Sequence, residues 1–191
     1  MSSPPLPERV LKWSSDMKIC VIDTETTGLS FEIGHRIIEV AALCVNLDTY
    51  KAVSKFEQRI NPERSIDPKA SLIHGITSSD LRGKPAFEKV EPDLTEFISN
   101  CNLLIAHNLK FDAGFLLGEY ALIDKEFPNI DVYDTLECRW ATPMGKPPSL
   151  KELCFACDIE YDESRAHSAL YDVVVLTKCV IAAHKFGAIT F

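Results

Sequence analysis

The sequence predicts a single α/β domain in which a mixed β-sheet is flanked by helices. In the first half of the chain, apolar runs of strand length are joined by short connections, which is typical of antiparallel hairpins. In the second half, strand-like runs alternate with helical patterns, which favours strands covered by helices. The chain has 191 residues and 46% hydrophobic content, which suits one domain with its own core.

The first strand is predicted at residues 19–22, an apolar run that leads directly into polar residues. Such a short, uninterrupted run is typical of a strand that is buried on both faces. Residues 36–45 and 51–60 predict the second and third strands, with a turn at residues 46–49 between them. Because this connection is short, the second and third strands are expected to pair in antiparallel fashion.

Helices are predicted after Asn61-Pro62. Asp67 and Pro68 provide an N-cap and a first-turn proline, so a helix is expected to begin there. A second short helix is expected from Thr77. A longer helix follows, and the proline at position 92 predicts a kink or a restart within it. Its buried stripe consists of Phe87, Val90, Leu94, Phe97 and Ile98.

The remaining elements alternate. Residues 103–106 predict a buried strand, residues 110–121 a helix, and residues 130–133 a fifth, short strand. A further helix is expected to follow that strand, and then a proline-rich loop at residues 143–148.

Two helices complete the prediction. Ser149 and Glu152 form a capping box, which opens the first of them. The second begins near Ser168 and directs a set of apolar side chains inward: Leu170, Val173, Val174, Leu176, Val180 and Ile181.

The composition limits the classes of function. A net charge of −8 argues against a strong sequence-independent nucleic-acid binder, although it is compatible with an enzyme that holds one strand end through metal ions. No apolar run is long enough to span a membrane and no signal-peptide pattern is visible, so a cytoplasmic location is expected. The predicted boundaries are a loosely ordered lead-in at residues 1–17, the folded domain at 18–186 and a short C-terminal tail at 187–191.

The cysteines are odd in number and scattered through apolar segments, which predicts reduced thiols in the core. Cys154 and Cys157 have the spacing of a redox or zinc pair, but no second pair or nearby histidine accompanies them. We therefore expect them to belong to a helical core. The seven cysteines are Cys20, Cys44, Cys101, Cys138, Cys154, Cys157 and Cys179.

Asp23 and Glu25 follow the first strand directly. Because side chains alternate along a strand, the two carboxylates are expected to point to the same side. Two buried carboxylates repel each other, and a divalent cation would relieve that repulsion. Oxygen ligands favour Mg²⁺ or Mn²⁺, and Gly28 allows a sharp turn beside the site. The same Asp-x-Glu pattern recurs at residues 124–126 and 158–160, which follow no such apolar run and are expected to be solvated surface carboxylates.

Two later segments could bring further carboxylates to this pair. Asp112 falls in the first turns of the helix after residues 103–106, where a negative charge also simply complements the helix dipole. Asp172 lies on the body of the last helix. Residues five apart point about 140° away from each other on a helix, so His167 is expected in the preceding loop, which could carry it towards a metal held by Asp172. Alternatively, Asp172 is a surface charge and His167 a polar loop residue.

Taken together, these segments resemble the motifs of the DEDD family of 3′–5′ exonucleases. Asp23-Thr-Glu25-Thr-Thr-Gly28 is similar to the first motif, residues 107–112 to the second and residues 167–172 to the third. His167 stands five residues before Asp172, as the histidine branch (DEDDh) requires, whereas Ser168 occupies the position of the tyrosine in the other branch. Within this family, the sequence resembles the proofreading epsilon subunit of bacterial DNA polymerase III. Further likeness lies at Gly34–Glu39, Ile60–Pro62, Ile73–Thr77 and Asp134-Thr135.

The resemblance implies a ribonuclease H-like fold and hydrolysis of DNA from its 3′ end, preferably at single-stranded or frayed ends, with release of 5′-mononucleotides. It implies that four carboxylates hold two Mg²⁺ or Mn²⁺ ions and that His167 is the general base. The implied metal ligands are Asp23, Glu25, Asp112 and Asp172. The residues expected to contact the terminal nucleotide are Thr26, Gly28, Leu29, His74 and Asn108. His107 is a weaker candidate for the base, and His35 and His184 are expected to be structural or surface residues.

Other functions remain open at this point. An exonuclease of the same family directed at RNA or short oligonucleotides would carry the same motifs. A subunit associated with a DNA polymerase would also carry them, although the chain ends soon after the last predicted helix and the polymerase-binding segment of the epsilon subunit is therefore expected to be absent. A thiol or zinc protein built on Cys154 and Cys157 is a third alternative.

Overall fold

The computed structural model describes residues 16–191 and contains a five-stranded mixed sheet with the strand order β3-β2-β1-β4-β5. β1 is antiparallel to β2, which is antiparallel to β3, whereas β1, β4 and β5 run parallel. The α/β prediction is confirmed. The strands are β1 (Lys18–Thr26), β2 (Ile37–Asn46), β3 (Lys51–Arg59), β4 (Leu103–Ala106) and β5 (Asp131–Asp134).

Within residues 16–191, five α-helices cover the sheet. They are α1 (Pro68–His74), α2 (Phe87–Ser99), α3 (Leu109–Leu122), α4 (Leu150–Ala156) and α5 (Ala169–Lys185). Four short 3₁₀ turns lie at Phe31–Ile33, Thr135–Glu137, Arg139–Ala141 and Glu163–Arg165.

The strand β1 lies at the centre of the sheet and contributes to the core on both of its faces. Ile19 and Val21 pack on the face that carries α4 and α5. Cys20 and Ile22 pack on the opposite face, which carries α2 and α3. All four side chains are fully buried, as the uninterrupted apolar run predicts.

Two helix starts follow the predicted capping chemistry. The Asp67 carboxylate accepts a hydrogen bond from the Lys69 N–H at the start of α1, with a proline at the first helical position. At α4, Ser149 and Glu152 form the predicted capping box, with each side chain bonded to the backbone of the other residue.

Two predicted helices, at Thr77 and after β5, are wrong, and of the kink or restart predicted at Pro92 the restart is not found. No helix begins at Thr77, because its N–H and hydroxyl both donate to the Asp80 carboxylate and close a turn instead. Only the two 3₁₀ turns follow β5, where a helix was expected. The helix α2 continues through Pro92 without a restart; because Pro92 is exposed, water can satisfy the carbonyl group that loses its N–H partner.

The structure describes the predicted C-terminal tail but only part of the predicted lead-in. Residues 1–15 of the predicted lead-in lie outside the described residues. In the predicted tail, Ile189 is buried and the Phe191 ring packs edge-on against Tyr133. Within residues 16–191, none of the helices has the length and apolar character needed to cross a bilayer.

Candidate active site

Three carboxylates from distant parts of the chain meet at the carboxyl end of β1. Asp23 and Glu25 project from the same side of the strand, and Asp172 reaches them from the first turn of α5. One oxygen from each carboxylate lies within 4.8 Å of the others. In the part of the chain that the structure describes, no other set of three potential metal ligands is this close.

Asp112 reaches the same strand from the opposite face of the sheet. Its side chain is buried, and its Oδ1 accepts hydrogen bonds from the Thr24 N–H at 3.0 Å and the Thr24 hydroxyl at 2.7 Å. These bonds fix Asp112 beside Asp23, whose pKa it raises, although Asp112 is not one of the three carboxylates within 4.8 Å. The end of β1 is therefore approached by a carboxylate from each of two helices, Asp112 from α3 and Asp172 from α5.

Burial and mutual repulsion disfavour ionisation of this cluster. Burial raises the pKa of Asp23 well above its ordinary value, and the charges of Asp112, Glu25 and Asp172 raise it further. Burial likewise raises the pKa of Glu25 to about 9, with repulsion from Asp172 as the next cause. A cation bound between these groups would reverse both effects.

The other two carboxylates are affected less because hydrogen bonds stabilise their charged forms. Burial raises the pKa of Asp112 to about 7, and the two bonds from Thr24 oppose this increase. Burial also raises the pKa of Asp172, opposed by a hydrogen bond from the His167 backbone.

The donor set fits a hard divalent cation. The three side chains whose oxygens lie within 4.8 Å of one another are all carboxylates, which Mg²⁺ and Mn²⁺ prefer. The Asp172 Oδ1 atom is buried without a hydrogen-bond partner among the described residues. A buried carboxylate oxygen without a donor is costly, and a metal ion would supply the missing partner.

His167 lies at the entrance to this cluster, just before α5. Its side chain is exposed and its backbone is left-handed, with φ at +62°. The His167 N–H donates a 2.9 Å hydrogen bond to Asp172 Oδ2. His167 therefore lies in the loop before α5, as the sequence predicts.

His74, at the end of α1, faces the same region. Its Nδ1 accepts a hydrogen bond from the Ile76 N–H, and its Nε2 is buried without a partner among residues 16–191. Burial lowers the pKa of His74, and the charge of His167 lowers it further, while the Thr26 backbone and Glu39 oppose this decrease. His74, Thr26 and His167 are therefore neighbours in space.

A tight loop follows the end of β1. The Thr26 hydroxyl donates to the Gly28 carbonyl at 2.6 Å. A Cβ at Gly28 would lie 2.3 Å from the His35 ring, which bonds the Thr27 hydroxyl. A side chain at position 28 would therefore require this ring to move. The loop projects Leu29 into solvent with 82% of its surface exposed.

Leu29 and Asn108 line the same groove of about 300 Å³ between the loop and the start of α3, together with Phe111 and Lys110. Asn108 is exposed and left-handed, with φ at +70°. The backbone N–H groups of Asn108 and Leu109 donate to the two carboxylate oxygens of Asp134, at the end of β5. This carboxylate fixes the first turn of α3.

The remaining histidines do not face the carboxylates. The His107 Nδ1 atom lies 2.9 Å from the Thr135 hydroxyl, and burial lowers the pKa of His107. His35 supports the glycine loop. His184 bonds the Tyr50 hydroxyl at 3.1 Å and stacks on Phe191.

Other predicted features also have structural positions. Cys154 and Cys157 are buried in the core beside Cys179, and every described cysteine is a free thiol. The carboxylates expected at the surface, Asp124, Glu126, Asp158 and Glu160, are all exposed.

Sequence reasoning missed Glu39 and Asp134 as parts of the site. Glu39 is the direct cross-strand partner of Glu25, and its Oε1 accepts a 2.9 Å bond from the Arg59 Nε–H. A charged residue within the apolar strand at residues 36–45 was the available signal. For Asp134, the signal was its place at the end of the fifth predicted strand.

Known proteins are similar to this chain in sequence and in fold. A model of the RNase_T exonuclease family matches residues 20–180. The DNA polymerase III epsilon subunit of Buchnera aphidicola is 34% identical over 173 residues, covering 86% of this chain and 73% of that protein. The epsilon subunit of Escherichia coli is 33% identical over 171 residues, covering 85% and 69%.

Solved structures of exonucleases are similar to this chain in fold. Exonuclease X in complex with 5′-overhanging duplex DNA has a TM-score of 0.67 at 26% identity, covering 88% of this chain and 93% of that one. The nuclease domain of 3′hExo, a DEDDh family member bound to rAMP, has a TM-score of 0.76 at 20% identity over 92% and 95% of the two chains, which shows the shared fold. The chain therefore belongs to the RNase_T family of exonucleases and is a 3′–5′ exonuclease of the DEDDh type, similar to the epsilon subunit of DNA polymerase III.

Proposed function

We propose that this exonuclease removes 5′-mononucleotides from the 3′ end of DNA, with two Mg²⁺ or Mn²⁺ ions held by Asp23, Glu25, Asp112 and Asp172. The observation that carries this proposal is the convergence of three carboxylates within 4.8 Å. Membership of the family implies divalent metal ions. When bound, such ions would stabilise the charges on the entering and leaving oxygens of the phosphodiester.

His167 is proposed as the general base. Imidazole titrates near neutral pH and can accept the proton of the attacking water. The exposed ring stands beside Asp172, to which its own backbone N–H is bonded, so the base is tethered to one of the proposed ligands. The proton taken by His167 can pass to bulk water, because the side chain is exposed.

The terminal nucleotide is proposed to lie between the Thr26–Leu29 loop, His74 and Asn108. The exposed Leu29 side chain provides an apolar surface for a base. The His74 Nε2 atom, which has no hydrogen-bond partner among residues 16–191, provides a polar contact. The groove between the loop and α3 also contains an exposed lysine at position 110. A single-stranded or frayed end suits this arrangement, because one nucleotide must leave its neighbours to enter it.

The test is digestion of matched single-stranded DNA and RNA oligomers that carry the same sequence and a 5′ label, in Mg²⁺, in Mn²⁺ and in a chelator. The expected product pattern is stepwise shortening from the 3′ end, faster for DNA and absent with the chelator. Asp23→Asn and Asp172→Asn are expected to abolish it, whereas Asp124→Asn, at an exposed carboxylate, is the matched control. Faster degradation of RNA would contradict the DNA proposal, and full activity in the chelator would contradict the metal proposal.

A polymerase-associated proofreading role is the second candidate. It is supported by the identity of 33–34% to epsilon subunits over most of this chain. Co-purification of the tagged protein with a DNA polymerase at its native abundance would favour this role. Recovery of the protein alone, with unchanged activity, would favour an independent exonuclease.

A further inference from the structure

The loop that carries His167 is held against Tyr171, a residue with no assigned role. This segment, residues 158–168, connects α4 to α5 and is called the His167 loop here. Tyr171 lies in the first turn of α5, with 9% of its surface exposed, and belongs to the core beneath α4 and α5. The tyrosine is thus a fixed part of the domain, whereas the loop residues at its surface are exposed.

Three loop residues contact the Tyr171 side chain. The Tyr161 ring packs against it, with the two ring centres 6.0 Å apart, and the other two residues make polar contacts. The Asp162 N–H donates a 2.6 Å hydrogen bond to the Tyr171 hydroxyl oxygen. The Arg165 guanidinium lies 4.6 Å from the centre of the Tyr171 ring, in the geometry of a cation–π contact. Between them, the 3₁₀ turn Glu163–Arg165 is closed by the Asp162 carboxylate, which accepts from the Ser164 N–H. The turn is therefore attached at both of its ends to one aromatic side chain.

The attachment lies immediately before the proposed base. Arg165 precedes His167 by two residues, and His167 itself has a left-handed backbone and donates its N–H to Asp172. The His167 loop is consequently fixed to two neighbouring residues of α5, Tyr171 and Asp172. Both attachments restrain the His167 backbone relative to the carboxylates.

We propose that Tyr171 and Arg165 are positioning residues that hold His167 in its working position before substrate binds. This inference rests on the proposed role of His167 as the general base. The loop is also held by the Tyr161 ring and by the ion pair of Glu163 with Lys151 in α4, but the contacts of Asp162 and Arg165 with Tyr171 restrain the segment just before His167. If one of these two contacts is lost, the imidazole spends a smaller fraction of the time beside the attacking water. The turnover number then falls, while the affinity for metal and substrate is unchanged.

Two single variants each remove one contact. Arg165→Met keeps the length and apolar stem of the side chain without the cation, and Tyr171→Phe keeps the buried ring without the hydroxyl. Each is expected to lower kcat about fivefold, which corresponds to the usual value of one such contact, with KM unchanged and the thermal midpoint lowered by only about 2–4 °C. Arg82→Met, at another exposed arginine, is the matched control and is expected to retain full kcat.

Combination with His167→Asn distinguishes positioning from a general effect on the fold, because asparagine tolerates the left-handed backbone at this position. If the two residues act through His167, Arg165→Met and Tyr171→Phe cause no further loss in the His167→Asn background. A fivefold loss that persists in that background would overturn the inference, and so would an increase in KM at full kcat, which would make Arg165 a substrate contact. If His167→Asn itself retains full kcat, the assignment of the base is wrong and this inference fails with it. Loss in His167→Asn with full kcat in both other variants would overturn this inference alone.

Discussion

His167 makes two separable contributions to the site. Its backbone N–H orients Asp172 through Oδ2, while the other oxygen, Oδ1, has no partner among the described residues. Its imidazole is exposed beside the carboxylates. Replacement of the side chain therefore leaves the orientation of Asp172 intact, and the chemical role of the ring can be measured by itself.

His167→Asn is expected to lower kcat by about 10²–10⁴-fold, the usual value of a general base. Asparagine is the appropriate replacement because it tolerates the left-handed backbone at this position, so the loop keeps its conformation. The measurement is kcat on labelled single-stranded DNA, with Mg²⁺ affinity determined by calorimetry as a check on Asp172. His184→Asn, far from the site, is the control, and an undiminished rate for His167→Asn at neutral pH would assign the base elsewhere.

Gly28→Ala is expected to lower the free energy of unfolding by about 1–3 kcal/mol, the usual cost of overpacking. The new methyl group would lie 2.3 Å from the His35 ring and would displace it from Thr27. Chemical denaturation provides the measurement. Gly114→Ala in α3, where a Cβ meets nothing within 4 Å, is the matched control and is expected to be neutral or stabilising. Equal stability of the two variants would show that the His35 ring can move at no cost.

At the scale of secondary structure, the start of α3 depends on a side chain from β5. Asp134 accepts hydrogen bonds from the N–H groups of Asn108 and Leu109, which precede Asp112 by less than two turns. It also accepts from Leu136 N–H, and so closes its own 3₁₀ turn. The position of Asp112 against Thr24 is therefore set from two strands at once.

Asp134→Asn is expected to lower the free energy of unfolding by about 1 kcal/mol, as for loss of a helix cap. One of its two acceptor oxygens becomes an NH₂ group, which cannot accept from the start of α3. The rate should fall as well, because Asp112 loses its fixed position. Thermal unfolding and kcat are the measurements, with Asp131→Asn, an exposed carboxylate at the start of the same strand, as the control. Identical behaviour of the two variants would remove Asp134 from the site.

Much of this architecture could be predicted from local patterns. The period of a strand places Asp23 and Glu25 on one side, and the capping box at Ser149 needs only residues close in sequence. The expected helix at Thr77 was wrong because the nearby Asp80 offers the backbone a competing hydrogen bond. The position of Glu39 opposite Glu25 could not be predicted, since it depends on a register that includes a bulge between Glu25 and Thr26.

At the scale of the whole molecule, the fold places several acidic side chains close together at the end of β1. The pKa values of Asp23, Glu25, Asp112 and Asp172 are all raised above their ordinary values, with burial as the main cause. For an acid whose pKa is higher in the folded state, the unfolded state releases its proton first as pH rises. Ionisation of this cluster therefore opposes folding.

In a chelator, the free energy of unfolding is expected to decrease as pH rises from about 4.5 towards 9, the interval between the ordinary and the folded pKa of Glu25. Below this interval, Glu25 is protonated in both the folded and the unfolded state, so its ionisation does not lower the free energy of unfolding. Above the interval, Glu25 is ionised in both states and the decrease is complete. Urea denaturation at pH 5.5 and pH 8 measures the difference. Glu25→Gln should reduce this pH dependence, whereas Glu126→Gln, at an exposed site, should not.

Mg²⁺ is expected to raise the thermal midpoint more at pH 8 than at pH 5.5, because its ligands must lose their protons to bind it. Calorimetry in buffers of different ionisation enthalpy should detect proton release on binding. Binding without proton release would contradict the raised pKa values of the cluster.

The proposed ligands occupy positions 23, 25, 112 and 172. The last of them, Asp172, lies in α5, which packs against β1 and β2. A ribosome translates the chain in that order, so a nascent polypeptide that has reached residue 160 carries three of the four acids and none of α5. We expect such a translation intermediate to be inert towards nucleic acid. Catalytic competence then arises in one late step, when α5 leaves the exit tunnel and docks.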